Sequence, residues 1–426
     1  MSSPHRQDGA EEHRTRAPAA PREAAAWVAA HLARAGYRAL FAGGCVRDRL
    51  LGLDPADYDV ATSATPEQIR AVFPHAIGVG ESFGVMLVRH GGRTVEVATF
   101  RSESGYADGR RPTDVRFTDE REDALRRDFT INGLFEDPVT GQILDYVNGR
   151  ADLQARVLRA IGHATERFRE DRLRALRAVR FTARFALTLE PATRAAVQAF
   201  AHDLAGVSRE RIGHEVRRML AHPSRALAVE LCEALDLAPS VLNEAGAGAG
   251  AAGAALDLAP LRALPPEAVV PTGLAAWMLG RGGVTTKARQ EHWRAALCLS
   301  NTESDQLAAT LALRARVLDG WAAADAAGRK RMAALEVFAG ALQLVGAADP
   351  ALAAQVRADY DTLASTGLAP QPYLTGEDLI RAGMRPGPGF KKVLDTLYDQ
   401  QLNGLLTSRE QALAALARWP SGHAGG

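Results

Sequence analysis

The chain has 426 residues, a length that at about 100–200 residues per domain predicts roughly two to four domains. Hydrophobic residues make up 47% and charged residues 24%, ordinary for a globular protein and enough for a packed core. With 51 basic and 50 acidic residues the formal charge is +1, which excludes a histone-like or tail-driven nucleic-acid binder and requires any positive binding surface to be local.

Residues 1–21 are polar, aperiodic and rich in Ala, Pro and Arg, and are expected to form a disordered tail. From Pro21 the positions Ala26, Val28, Ala29, Leu32 and Ala33 predict an amphipathic helix ending near Gly36. Strand patterns follow at 38–42, 57–62, 84–90, 93–100, 134–136 and 143–147. Gly91-Gly92 between two alternating runs predicts a two-residue hairpin turn, because both central residues need positive φ. The stretch 137–142 predicts a second hairpin. Beyond about residue 150 nearly everything reads as helix. The run is interrupted at 244–269, with Pro260, Pro265 and Pro266, and at 367–389, where Gly387-Pro388-Gly389 opens a last helical segment. A mixed head followed by helices is an α+β pattern, not a doubly wound one. Cys45, Cys232 and Cys298 form neither a metal spacing nor a disulfide framework, so a reducing, cytoplasmic setting is expected. No apolar run approaches the roughly 18 residues of a membrane span, and the N-terminus lacks the order of a signal peptide.

The chemistry concentrates at 40–62, LFAGGCVRDRLLGLDPADYDVAT. A strand, a Gly43-Gly44 turn and a helix start would let backbone N–H groups approach a phosphate closely. The segment is neither a dinucleotide fingerprint nor a Walker loop. Asp57 and Asp59, two apart on a predicted strand, share a face. Adjacent carboxylates repel unless a cation sits between them, and such a pair suits Mg²⁺ in phosphoryl displacement. Glu96 faces opposite to Val95 and Val97, so buried valines would turn it toward the cleft, as a metal ligand or as a base.

These residues resemble a known family. GGCVRD…DYDVAT is similar to the head motif of class II tRNA nucleotidyltransferases and bacterial poly(A) polymerases. Residues 126–132 (RRDFTIN), 145–149 (Asp145 to Gly149), 170–174 (EDRLR) and 208–212 (SRERI) resemble further motifs in the family's order, and 375–390 resembles its tail. The resemblance implies a small polymerase-β-like mixed-sheet head followed by an all-helical neck, body and tail. It implies template-independent addition of nucleotides to an RNA 3′ end, by in-line attack of the 3′-OH on the α-phosphate of ATP or CTP with Mg²⁺, releasing pyrophosphate. Asp57 and Asp59 would hold the metals. Gly43, Gly44 and Arg47 would meet the triphosphate, with Arg127 and Asn132 around triphosphate and ribose and Asp128 orienting Arg127. Residues 145–149 would act as a spring between head and neck.

In the family, protein side chains select the base, and the resemblance assigns this to Asp171 and Arg174, with Arg177 and Arg180 as further nucleotide contacts. At about 100° per residue on one continuous helix, Asp171, Arg174, Ala175 and Ala178 share a face, whereas Arg177 and Arg180 wind away from it. Asp supplies only acceptors and Arg only donors, which together offer a base a hydrogen-bonding edge. Arg172 stands where the family usually has proline, a residue of a first helical turn. Residues 167–184 hold seven arginines against Glu170 and Asp171, a net +5 that could meet triphosphate or RNA. Only Lys287, Lys330, Lys391 and Lys392 are lysine, and Lys391-Lys392 sits at a helix start. His202-Asp203 lacks the histidine cluster of a phosphohydrolase site, and Trp293 and Trp321 are expected in the core.

The domains expected are a tail (1–21), head (22–150), base-reading neck (151–220), body (221–345) and tRNA-binding tail (346–426). Glu103, Tyr106, Gly109, Arg110, Arg111 and Pro112, within 102–123, resemble the loop of complete CCA-adding enzymes. CCA addition to tRNA is therefore the leading expectation. Poly(A) synthesis, A-only or CC-only addition, and an inactive RNA-binding protein are the alternatives.

Overall fold

The computed structural model describes residues 19–106, 112–204, 206–244, 256–387 and 389–419. The chain divides into two compact units, Met1–Val207 and Ser208–Gly426.

The first unit opens with α1 (Pro21–Arg34), which buries Ala24, Ala25, Val28, Ala29 and Leu32, close to the predicted stripe. Its proline occupies the first turn, where a missing N–H costs nothing. There follow β1 (Ala39–Ala42), α2 (Gly44–Leu50), β2 (Val60–Thr62), α3 (Pro66–Val72), β3 (Ile77–Gly80), β4 (Val85–His90) and β5 (Arg93–Thr99). Next come β6 (Arg101–Tyr106), β7 (Pro112–Phe117), α4 (Glu120–Leu125), β8 (Leu134–Glu136), β9 (Ile143–Asp145), α5 (Gly149–Gln154) and β10 (Val157–Leu158). The unit ends with α6 (Ala164–Glu170), α7 (Arg174–Phe185), β11 (Thr188–Leu189) and α8 (Pro191–Ala199).

Seven strands form one mixed sheet in the order β3-β4-β5-β2-β1-β8-β9. Among its described strands only β2 and β5 pair in parallel; β10 and β11 form a separate parallel pair. Both predicted hairpins form. His90 pairs with Arg93 across Gly91 and Gly92, which sit at φ 56° and 73°. β8 and β9 join across 137–142, where the Asp137 carboxylate accepts from the N–H groups of Val139 and Thr140. Beneath the sheet Leu40, Ala42, Ala61, Phe100, Ala124 and Phe135 form one cluster, with the two phenyl rings edge to face at 5.9 Å.

Three departures from expectation bear on the site. β2 begins only at Val60, so Asp57 and Asp59 lie on the extended lead into it. Within 102–123, expected to be a loop, β6 and β7 pair as a hairpin of their own; its tip, with Gly109, Arg110 and Arg111, lies outside the described residues. The single helix expected through Asp171 is two. α6 stops at Glu170, Asp171 is extended at φ −149°, and α7 starts at Arg174.

The described residues of the second unit hold helices and no strand. Its longest helix, Asn301–Gly320, starts on a capping box of Ser300 and Glu303. Trp277 and Trp293 meet edge to face at 5.4 Å and Trp321 packs on Phe338, so Trp293 and Trp321 are core residues, as expected. Buried Arg225 donates to the carbonyls of Leu220, Pro265 and Pro266, fastening the proline-rich segment. Helix Gly389–Leu402 starts where predicted, with Lys391 and Lys392 exposed, whereas helix Gly376–Arg381 forms inside the expected break. Among the described residues no single helix is long and apolar enough to cross a membrane.

Candidate active site

Strand β1 runs directly into Gly43. This residue adopts φ 68°, ψ −114°, and a Cβ here would stand 2.7 Å from Nη1 of Arg127, so both conformation and space require glycine. Its N–H donates to the Leu134 carbonyl at 2.9 Å, fixing the turn to β8, and Gly44 then opens α2. On the other side of β1, the Ala42 N–H donates to the Asp59 carbonyl at 3.1 Å, which brings the acidic segment beside the turn. Asp57 and Asp59 are exposed while Tyr58 and Val60 are buried, so the two carboxylates share one face as the alternation predicts. Tyr58 points the other way, edge-on to Phe41 at 5.2 Å. Val60 is in register with Val97 on parallel β5, which sets Glu96 alongside Asp59, exposed between buried Val95 and Val97. The crowding registers on Asp59. Desolvation first, then Glu96 and Asp57, push its carboxyl up to about 6 against the pull of Arg127. Burial pushes the neighbouring Cys45 thiol up to about 11, which keeps it protonated and unreactive.

The arginines around the turn are held from behind. Arg127 donates through Nε and Nη2 to Asp123 (3.1 and 2.8 Å) and through Nη1 to the Asn132 carbonyl, and it lies 4.9 Å over the Phe135 ring. Its orienting acid is thus Asp123, whereas Asp128, expected in that role, pairs with Arg177 at 2.6 Å. Asp123 stands three and four residues before Arg126 and Arg127, the spacing of helical ion pairs, and that was its sequence signal. Burial would raise the Asp123 carboxyl, but Arg127 and Arg126 outweigh it and hold the group below its usual range, as a carboxylate.

Arg47 is 5% exposed and turned inward. It bonds Asp48, donates to Oδ1 of Asn132 at 2.5 Å and lies over the rings of Phe181 and Phe185 (5.1 and 4.4 Å). These contacts give Arg47 a bracing position behind the turn. Asn132, also buried, donates through Nδ2 to Asp128 at 2.9 Å. Burial by itself would raise the Asp128 carboxyl; Arg177, Asn132 and Arg174 outweigh it and hold it down at about 2. A chain Arg47–Asn132–Asp128–Arg177, buried as far as Asp128, therefore ties α2 to α7.

In the neck, the Asp171 carboxylate accepts from the Leu173 N–H and its carbonyl accepts from Arg174, an arrangement that starts α7. Asp171 therefore does not share a helical face with Arg174, Ala175 and Ala178, because it precedes the helix that carries Arg174, Arg177 and Arg180. Arg174 donates through Nη1 to Glu170 (2.5 Å) and to the Arg167 carbonyl (2.6 Å); among the described residues its Nε and Nη2 meet no acceptor. Arg180 is buried over Phe181 at 4.2 Å, and Arg177 also lies over that ring. The basic stripe 167–184 is consequently not a free field. Arg167, Arg169, Arg172, Arg174, Arg177 and Arg184 all face carboxylates within 4 Å.

The remaining motifs have structural partners. Asp145 accepts from the N–H groups of Val147, Gly149 and Arg150 and so organises the entry to α5. Asp203 pairs with Arg172, and Arg209 donates to the carbonyls of Ala296, Ser240 and Val241. Among the described residues no three His, Cys, Asp or Glu side chains converge tightly enough to hold a metal by themselves. Mg²⁺ binds through one or two carboxylates plus waters and substrate phosphates, so the crowded Asp57–Asp59 pair fits that ion without a third ligand.

Such a turn beside paired carboxylates on a mixed sheet defines a nucleotidyltransferase head. The family model described as "Poly A polymerase head domain" matches residues 39–159, and "Probable RNA and SrmB- binding site of polymerase A" matches 186–246. The CCA-adding enzyme of Limosilactobacillus fermentum is 35% identical over 92% of this chain and 95% of its own, and that of Lactobacillus delbrueckii is 33% identical over 90% and 94%. The crystal structure of the Bacillus stearothermophilus CCA-adding enzyme in complex with CTP superposes with a TM-score of 0.76 at 29% identity, covering 93% of this chain and 97% of that one. The chain belongs to the CCA-adding enzyme family of nucleotidyltransferases.

Proposed function

We propose that this enzyme adds CCA to tRNA 3′ ends from CTP and ATP without a template, and that it works in a reducing cytoplasm, a setting that three free cysteines fit. The observation that carries the reading is the Asp57–Asp59–Glu96 face set against the Gly43–Gly44 turn. Asp57 and Asp59 would hold Mg²⁺, which would supply charge stabilisation for the attacking 3′-oxygen and the departing pyrophosphate. To hold that ion Asp59 would release to solvent the proton that its crowded carboxyl retains at mildly acidic pH. Glu96 faces the same cleft, as a further ligand or as the base for the 3′-OH. Gly43, Gly44 and Arg127 meet the triphosphate, while Arg47 and Asn132 hold the turn and α7 at fixed separation.

Base choice falls to Asp171 and Arg174. Cytosine and adenine each place an exocyclic amino donor beside a ring-nitrogen acceptor. An acceptor from Asp171 and the open Nε/Nη2 edge of Arg174 complement that pattern. Arg177 and Arg180 act behind them, through Asp128 and Phe181. In domain terms, 22–150 is the head, 151–220 the base-reading neck, 221–345 the body and 346–426 a tRNA-binding tail.

The test uses purified protein, Mg²⁺, labelled CTP or ATP and a tRNA ending before CCA. Incorporation of C, C and A followed by arrest is expected. Long A tails on any RNA would make the protein a poly(A) polymerase, arrest after C, C or addition of A alone a partial enzyme, and no incorporation an RNA-binding protein.

A further inference from the structure

Asp123, the last residue of the 102–123 segment, has 1% of its surface exposed, and both of its oxygens accept from groups of different elements. Oδ2 takes Nε and Nη2 of Arg127, the guanidinium whose Nη1 stands against the Gly43 turn. Oδ1 takes Nε and Nη2 of Arg126 at 2.8 and 2.6 Å and, at 3.3 Å, the main-chain N–H of Arg101, the first residue of β6. The root of the β6–β7 hairpin and the arginine at the phosphate turn thus share one buried carboxylate. A third connection leaves from the end of the same helix, α4. The carbonyls of Leu125 and Arg126 accept from Arg167, which pairs with Glu170, the partner of Arg174.

From this geometry we infer that Asp123 is a positioning residue that fixes Arg127 against the bound triphosphate and couples that contact to the root of the β6–β7 hairpin. The physical ground is that a guanidinium over an open turn has many rotamers, and a fork-to-carboxylate bond made in a buried site selects one. Coupling follows because a shift of Arg127 toward a ligand redistributes the bonds on one carboxylate that also accepts from Arg101. The inference rests on the reading of Gly43, Gly44 and Arg127 as the triphosphate contact.

The experiment is a double-mutant cycle in the full chain with Asp123→Asn and Arg127→Ala, reading equilibrium binding of a non-hydrolysable CTP analogue and KM against kcat. Asp123→Asn should weaken nucleotide binding about tenfold, the scale of a lost supporting contact, with KM rising more than kcat falls. The double variant should bind no worse than Arg127→Ala alone, because the two residues act as one unit. Hydrogen exchange adds a readout that a merely structural role would not move: nucleotide should slow exchange of the Arg101 amide in the parent chain and not in Arg127→Ala. Losses that multiply, or slowing that persists in Arg127→Ala, overturn the proposal. If Asp123→Asn does not fold, Asp123→Glu, which keeps the charge and displaces the oxygens, enters the same cycle under the same criteria. If Arg127→Ala binds nucleotide as well as the parent, the triphosphate reading fails first and the coupling fails with it.

Discussion

Asp59 carries the sharpest conflict between stability and chemistry. Its carboxyl is raised to about 6, above the ordinary value of 3.8, by desolvation and by Glu96 and Asp57. Above pH 6 the folded protein must hold a carboxylate that the unfolded chain holds more comfortably. Well below pH 3.8 both states are protonated and the penalty disappears. Asp59→Asn should therefore be more stable than the parent at pH 7.5, by about 1 kcal/mol or less because the cleft is open to screening, and the gain should shrink as pH falls below 6 and vanish well below 3.8. The same variant should lose incorporation, as should Asp57→Ala in a labelled-CTP assay. Asp171→Ala should retain incorporation but blur the choice between CTP and ATP, at about 1–3 kcal/mol of discrimination read as the ratio of kcat/KM values. Unchanged fidelity there would remove Asp171 from base reading.

Between elements, the joint that matters most is α2 to α7. Asp128 is held at about 2, far below 3.8, so its pairing stabilises the fold fully above pH 4 and is lost as pH falls from 4 toward 2. Asp128→Ala would remove the buried carboxylate that Arg177 and Asn132 share and cost about 3–5 kcal/mol, measured by denaturant unfolding at pH 7. Much of this architecture was legible in the sequence. Gly91-Gly92 announced its hairpin, and the Asp-Tyr-Asp-Val alternation placed both carboxylates on one face before β2 begins. The break at Asp171 was hidden because apolar periodicity continues through it, and what stops α6 is an Asx turn, a local polar event. Its trace was present in the family's usual proline at 172, a first-turn residue. The β6–β7 hairpin was illegible for another reason. It pairs as a two-stranded sheet of its own, apart from the seven-stranded one whose strands the alternating pattern had marked.

On the scale of the whole chain, a net charge of +1 conceals an arginine economy. Arg47, Arg174, Arg180 and Arg225 are buried and engage carboxylates, carbonyls or aromatic rings, tasks suited to a planar fork rather than a compact ammonium. In the second unit Arg225 holds the Pro265–Pro266 backbone, and Arg225→Leu would leave those carbonyls unpaired. It should lower the melting temperature while leaving nucleotide affinity in the first unit unchanged, as calorimetry and analogue binding would register. Lysine obeys the opposite geography. All four lysines lie in Ser208–Gly426, with Lys287, Lys391 and Lys392 exposed and Lys330 buried. The first unit, with every proposed catalytic and base-reading residue, offers no side-chain amine at all. Acylation of lysine ε-amines by dyes, biotin esters or activated surfaces will therefore fall on the helical unit, so that the enzyme can be tagged or tethered through side chains without a cysteine handle and without modifying any side chain of the catalytic unit.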